Sequence, residues 1–293
     1  MALSAAAALL TGGGMSFYTF LSQKERLLFN SEPILKSSPK QLGIPYENIS
    51  IFFAPSESYQ TVLRGWWIPA SSRKNTEYEH VILYCHGSVG NISDHLDFVR
   101  FVSIYLPNCS VFMYDYLGYG DSGGDVRPTL DMCHASTLQA FKWLVYNKEI
   151  PRSKIIVWGE ELGGIFATWL VHSLKLFDIA GLILQGSPKS IYDFASEKLK
   201  RYYITWPVAI AYEKHVDVVD CVKSMVKDHI PILAIHAIED TQVPLASGKY
   251  IGRYTTEFVT LTGKKSPLFT NANTVCESIQ RVFFDHGDAC INE

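Results

Sequence analysis

The stretch Ile155-Ile156-Val157-Trp158-Gly159-Glu160-Glu161-Leu162-Gly163-Gly164 decides how the rest of the chain is read. Four consecutive apolar residues fit a strand buried on both faces. Gly159 and Gly163 then bracket three residues, and glycine at those places lets a strand turn sharply into a helix without a Cβ clash. Glu161 stands in the middle of that frame. A lone G-x-x-x-G is common, so its meaning depends on the segments around it.

Those segments repeat one theme. The apolar run 81–85 reads as a buried strand ending in His86-Gly87-Ser88-Val89-Gly90-Asn91. A second run, 111–116, leads into Leu117-Gly118-Tyr119-Gly120-Asp121-Ser122-Gly123-Gly124, too rich in glycine to continue a regular element. Helical stretches over 130–146 and 165–176 flank the elbow strand, and short apolar strands follow over 179–185, 232–237 and 258–262. Strands alternating with helices predict an α/β fold with a doubly wound, mostly parallel sheet, and place function at the carboxyl ends of the strands.

The succession Leu83-Tyr84-Cys85-His86-Gly87, Tyr114-Asp115-Tyr116-Leu117-Gly118-Tyr119-Gly120-Asp121-Ser122, Trp158-Gly159 to Gly164 and His236-Ala237-Ile238-Glu239-Asp240-Thr241-Gln242-Val243-Pro244 resembles the α/β-hydrolase-domain serine hydrolases. It is most similar to their membrane-associated branch of lysophospholipases, monoacylglycerol lipases and protein depalmitoylases, over about 28–284. The resemblance implies a sheet of the α/β-hydrolase type with a small lid insertion. It divides the chain into an apolar N-terminal segment, 1–27, and a hydrolase-like domain, 28–293, with the lid at about 187–230.

It also implies a Ser–His–Asp triad, in which the histidine takes the serine proton and the acid orients the imidazole. Carried over residue by residue, the acid falls on Asp240 and is retained. The nucleophile position falls on Glu161 and the histidine position on Ser266, in Thr262-Gly263-Lys264-Lys265-Ser266-Pro267; no histidine follows until His286. The oxyanion-hole amides fall on Gly87, Ser88 and Leu162. Nucleophile and base are both substituted, so the chain is expected to be catalytically inactive and to hold a hydrophobic ligand or a protein partner. The alternatives are a lipid ester or thioester hydrolase with a non-standard constellation around Glu161 and Asp240, or an interaction domain with no ligand.

A carboxylate at an elbow can also be a nucleophile, as the aspartate of haloalkane dehalogenases and epoxide hydrolases is. Glu161 is one methylene longer than that aspartate, and hydrolysis of the ester would need a base. His86 is nearest by topology, against its reading as a loop histidine bonded to backbone. Two further readings of Glu161 stay open: a built-in anion occupying the oxyanion hole, or a side chain pointing to solvent. Glu160 and Glu161 have no histidine or cysteine at ligand spacing, so no metal and no cofactor is expected.

The 293 residues, 47 % hydrophobic and 19 % charged, suffice for one large α/β core. A net charge of −3 gives no footprint for nucleic acid. Six cysteines show no C-x-x-C pairing; Cys85 and Cys133 read as core residues, with reduced thiols in a cytosol-facing domain. The first 23 residues carry no charged side chain, which suits a membrane anchor or interfacial segment as well as a buried or disordered arm. Membrane association is therefore expected through that segment, and a cytoplasmic location otherwise. In the lid, Tyr192, Phe194, Tyr202, Tyr203, Trp206 and Tyr212 either line an acyl pocket or pack the lid onto the core. Lys198-Leu199-Lys200-Arg201 reads as a solvated face.

Overall fold

Runs of apolar residues become strands, and their alternate side chains supply two separate cores. The structure is a computed structural model describing residues 25, 26, 28–56, 59–72, 80–200, 217–264 and 267–284. Its main sheet has eight strands: β1 (Glu47–Ser56), β2 (Tyr59–Ile68), β3 (His80–Cys85), β4 (Cys109–Tyr114), β5 (Ile155–Glu160), β6 (Gly181–Gln185), β7 (Ile232–Ala237) and β8 (Glu257–Leu261). Their order across the sheet is β1-β2-β4-β3-β5-β6-β7-β8. From β4 to β8 every pairing is parallel, while β1 and β2 form an antiparallel edge. That edge pair was not read from the sequence, although Ile49, Ile51 and Phe53 alternate at the strand period.

Among the described residues, the helices between the strands are α1 (Leu96–Tyr105), α2 (Leu130–Tyr146), α3 (Gly163–Ser173), α4 (Ile191–Lys200), α5 (Val218–Lys227) and α6 (Leu245–Ile251), and α7 (Ala272–Ile279) follows β8. On one face, Leu83 and Val157 pack with Phe141 of α2, Phe166 of α3 and Val222 of α5. On the other, Tyr84, Ile156 and Trp158 pack with Phe98 and Val102 of α1 and Val275 of α7. A sheet covered on both faces explains why its central strands read as unbroken apolar runs.

Two sharp boundaries have local causes. Thr129 caps α2, its hydroxyl accepting the Met132 amide at 3.2 Å, and Asp217 caps α5 through the Val219 and Asp220 amides. The helix after the elbow begins at Gly163, two residues earlier than read from the sequence, since glycine's low helix propensity is overridden by packing. Within the lid, Phe194 is buried in the core and Tyr192 is exposed. Tyr202, Tyr203, Trp206 and Tyr212 lie outside the described residues, as do 1–24, Leu27, Arg201, Ser266 and His286. Among the described residues no helix is long and apolar enough to cross a membrane.

Candidate functional site: a closed elbow beside an open cleft

Strand β5 ends at Glu160, and Glu161 takes a left-handed backbone with φ +52°. That conformation costs a non-glycine residue about 1 kcal/mol and persists only where the surroundings enforce it. The enforcement is visible on both sides. A Cβ on Gly163 would run into the carbonyl oxygens of Cys85 and His86, and one on Gly159 would meet the backbone of Gly163 and Gly164. The turn is also pinned by hydrogen bonds: the Glu161 amide donates to the Gln185 carbonyl at 2.9 Å, and the Gly164 amide to the Glu161 carbonyl at 3.1 Å.

The Glu161 side chain does not point to solvent. It is 2 % exposed and turns toward the loop after β3, where its Oε2 accepts the Ser88 amide at 2.5 Å. Gly87 leaves room for it, since a Cβ there would stand 2.7 Å from the same oxygen. Ser88 is itself fully buried: its carbonyl accepts the Tyr119 hydroxyl and the Asn30 amide, both at 2.9 Å. Its hydroxyl accepts from Lys198 Nζ at 3.0 Å, and that ammonium also reaches the Leu28 carbonyl at 2.6 Å. Lys198 is therefore not part of a solvated face, as its charged neighbours suggest, but a half-buried tie between α4, the chain entry and the loop after β3. Leu162, buried, is the residue from which α3 starts.

Asp240 lies three residues beyond the end of β7, and its Oδ1 accepts the amides of Gln242 at 2.7 Å and Val243 at 3.0 Å. The nearest described histidine is His236 of β7, 3.8 Å from Oδ2, whose Nε2 is bonded to the Val243 carbonyl at 3.0 Å. Glu161 and Asp240 line one cavity, which Gln185, Gly186, Gln242 and Pro267 help to close to about 10 Å3. That holds one water at most. His86 is a fully buried loop histidine with Nδ1 2.8 Å from the Gly87 carbonyl and Nε2 3.6 Å from Asp115 Oδ1. Burial pushes the Asp115 carboxyl up to about 8.

Glu160 faces the other way, as the pleat requires of neighbouring strand residues. It shares the α1 face with Trp158 and accepts the Tyr84 hydroxyl on Oε2, with His95 Nδ1 3.1 Å from the same oxygen. Burial first, and the Glu160 carboxylate second, push the Tyr84 phenol well above its ordinary range, so it remains a donor. Gln185 sits beside Glu160 in register across β5 and β6, its amide oxygen accepting the Trp158 indole at 2.9 Å. His95, Glu160 and Gln185 line the inner part of a cleft of about 690 Å3. The sequence reading noticed Glu160 only as the neighbour of Glu161. Its period-two relation to Trp158 was the available sign that it faces α1.

The order of strands, the positive-φ residue between β5 and α3 and the acid after β7 can be set beside known proteins. No family profile matches the chain. The uncharacterized protein YfhR of Escherichia coli (strain K12) is 25 % identical over 202 residues, covering 68 % of this chain and 66 % of YfhR, so the match spans slightly less than two thirds of that relative. The alpha/beta hydrolase domain-containing protein WAV2 of Arabidopsis thaliana is 27 % identical over 225 residues, 74 % of this chain and 68 % of WAV2. Among solved structures, the Pyrococcus furiosus esterase Pf2001 superposes with a TM-score of 0.64 at 17 % identity, over 87 % of this chain and 98 % of the esterase. The chain has the α/β-hydrolase fold. Within that fold, Glu161 stands on the turn between β5 and α3, and Asp240 stands after β7.

Proposed function

We propose that this α/β hydrolase does not hydrolyse esters and that its inherited site serves binding. One observation carries the reading: Glu161 Oε2 sits on the Ser88 amide, a donor that an acyl substrate's oxyanion would need. Oxyanion stabilisation requires vacant donors at about 2.7–3.1 Å from the developing charge, and loss of a single donor costs about 10²–10³ in rate. Here the donor is taken by a fixed carboxylate, whose charge would also repel the oxyanion. With the serine replaced and the histidine position held by Ser266, no activated nucleophile is supplied. The occupant of the lid side is then a hydrophobic, acyl or lipid-like ligand or a protein partner, and residues 1–27 are the candidate membrane attachment.

The test is a fluorophosphonate label and a short aryl ester applied to four proteins: unaltered, Glu161→Ser, Ser266→His, and the double variant, each checked for folding by thermal melt. We expect no labelling or turnover in the unaltered and single variants and slow turnover in the double variant, where Asp240 can orient the new imidazole. Turnover by the unaltered protein that disappears on Glu161→Gln would overturn the reading in favour of carboxylate catalysis on a lipid ester or thioester.

A further inference from the structure

The cleft on the α1 face adjoins the elbow cavity through Glu160, Gln185 and Pro267, and the rest of its lining has a different chemistry. Its volume of about 690 Å3 suits a small molecule. Among the described residues that line it are four carboxylates, those of Glu32, Asp94, Asp97 and Glu160, and one ammonium, that of Lys36, which is 3.5 Å from Asp94. Glu160 is the innermost of the four, 5 % exposed and oriented by Tyr84 and His95. Apolar surface stands beside it: Phe98, stacked on Tyr84 with centroids 4.0 Å apart, then Leu268 and Phe269. Asp97 in the first turn of α1 offsets the positive end of that helix, which would otherwise favour an anion.

We propose that this cleft binds a small organic ammonium, with its charge against Glu160 and Asp97 and its apolar body against Phe98 and Phe269. An anion is disfavoured by the sign of the lining. A bare metal ion is disfavoured because no group of three or more His, Cys, Asp or Glu among the described residues is placed to ligate one. A pocket with apolar walls and a buried carboxylate suits an alkylammonium, because the carboxylate attracts the cation while Phe98 and Phe269 cover its carbon skeleton, the Phe269 ring also lying 5.3 Å from the Arg100 guanidinium. The inference does not depend on whether the elbow catalyses.

The experiment is calorimetric titration of the full chain with phenethylammonium, its neutral counterpart 2-phenylethanol and the anionic 3-phenylpropionate. The ammonium is expected to bind at least about tenfold more tightly than either, and to weaken as salt rises from about 0.05 to 0.5 M. Glu160→Gln is expected to lose about tenfold in affinity and Asp97→Asn about threefold, with Glu161→Gln within about twofold of the unaltered protein. Equal binding of the alcohol, or absence of binding by all three probes, would overturn the proposal. So would loss of binding in Glu161→Gln with none in Glu160→Gln, which would seat the ligand at the elbow. Should Glu160→Gln fail to fold, Asp97→Asn on the exposed rim and the salt series decide the matter: no change in either overturns the site.

Discussion

Glu160 and Glu161 are consecutive residues that meet opposite fates. Glu161 closes a space of about 10 Å3 and is bonded to a backbone amide; Glu160 borders about 690 Å3 and is bonded to a phenol. Both are buried, both stand at the carboxyl end of β5, and Glu160, Gln185 and Pro267 line both spaces, while Glu161 lines only the smaller. What separates them is the turn: Glu160 still follows the pleat toward α1, while the positive φ of Glu161 swings the next side chain over the loop after β3. The contrast teaches that the family's elbow fixes a place and a direction, and that the residue placed there decides whether the site is open.

The sharpest way to break the contrast is Gly163→Ala. Its Cβ has only the Cys85 and His86 carbonyls to meet, and backbone cannot give way as a side chain can. We expect a loss of about 3 kcal/mol in urea unfolding; a loss below about 1 kcal/mol would show that the closed side is loosely packed.

Next in size, Glu161→Ala leaves the buried Ser88 amide without its acceptor and should cost about 2 kcal/mol. Glu161→Gly loses the same bond but recovers about 1 kcal/mol from the positive φ, so it should be the more stable of the two. Equal stabilities in the same urea series would mean that the left-handed backbone carries no strain. Lys198→Met should cost about 1 kcal/mol by freeing α4 from Leu28 and Ser88, read as faster amide exchange across α4.

A different kind of effect is expected on the slope of stability with pH. Asp115 accepts the Ile92 amide at 2.8 Å at the start of the segment leading to α1, the wall of the cleft. Burial raises its folded pKa to about 8 from an ordinary 3.8, so the folded state holds a proton that the unfolded state has released. Its contribution is thus full below about 4 and is lost as pH rises toward 8. Asp115→Asn should flatten that decline while keeping the bond to Ile92, and an unchanged slope in urea melts across that window would remove Asp115 as its source.

The closed side was largely legible in the sequence and the open side was not. Gly159, Glu161, Gly163, Ser88 and Asp240 sit in short motifs beside apolar strands, so the strand runs together with the resemblance placed them at strand ends. The cleft joins His95, Glu160 and Gln185 from separate elements, with Tyr84 bonded to Glu160 behind them, and no motif links them; the register of β3, β5 and β6 helps to bring them together. Lys198 misled for a related reason. Its neighbours in sequence are charged, and its partners, Leu28 and Ser88, lie 170 and 110 residues away. The antiparallel edge β1–β2 escaped notice because its alternating pattern lies ahead of the first segment that the fold's motifs point to.

The glycine-walled turn has one more consequence. Because Gly159 and Gly163 are held by backbone on either side, the direction of the side chain at position 161 is dictated by its surroundings and hardly by its own chemistry. The position then behaves as an interchangeable socket: whatever residue a single codon change installs is presented at the same point above the sheet. An exchange at this position alters what the elbow presents without rebuilding the scaffold around it.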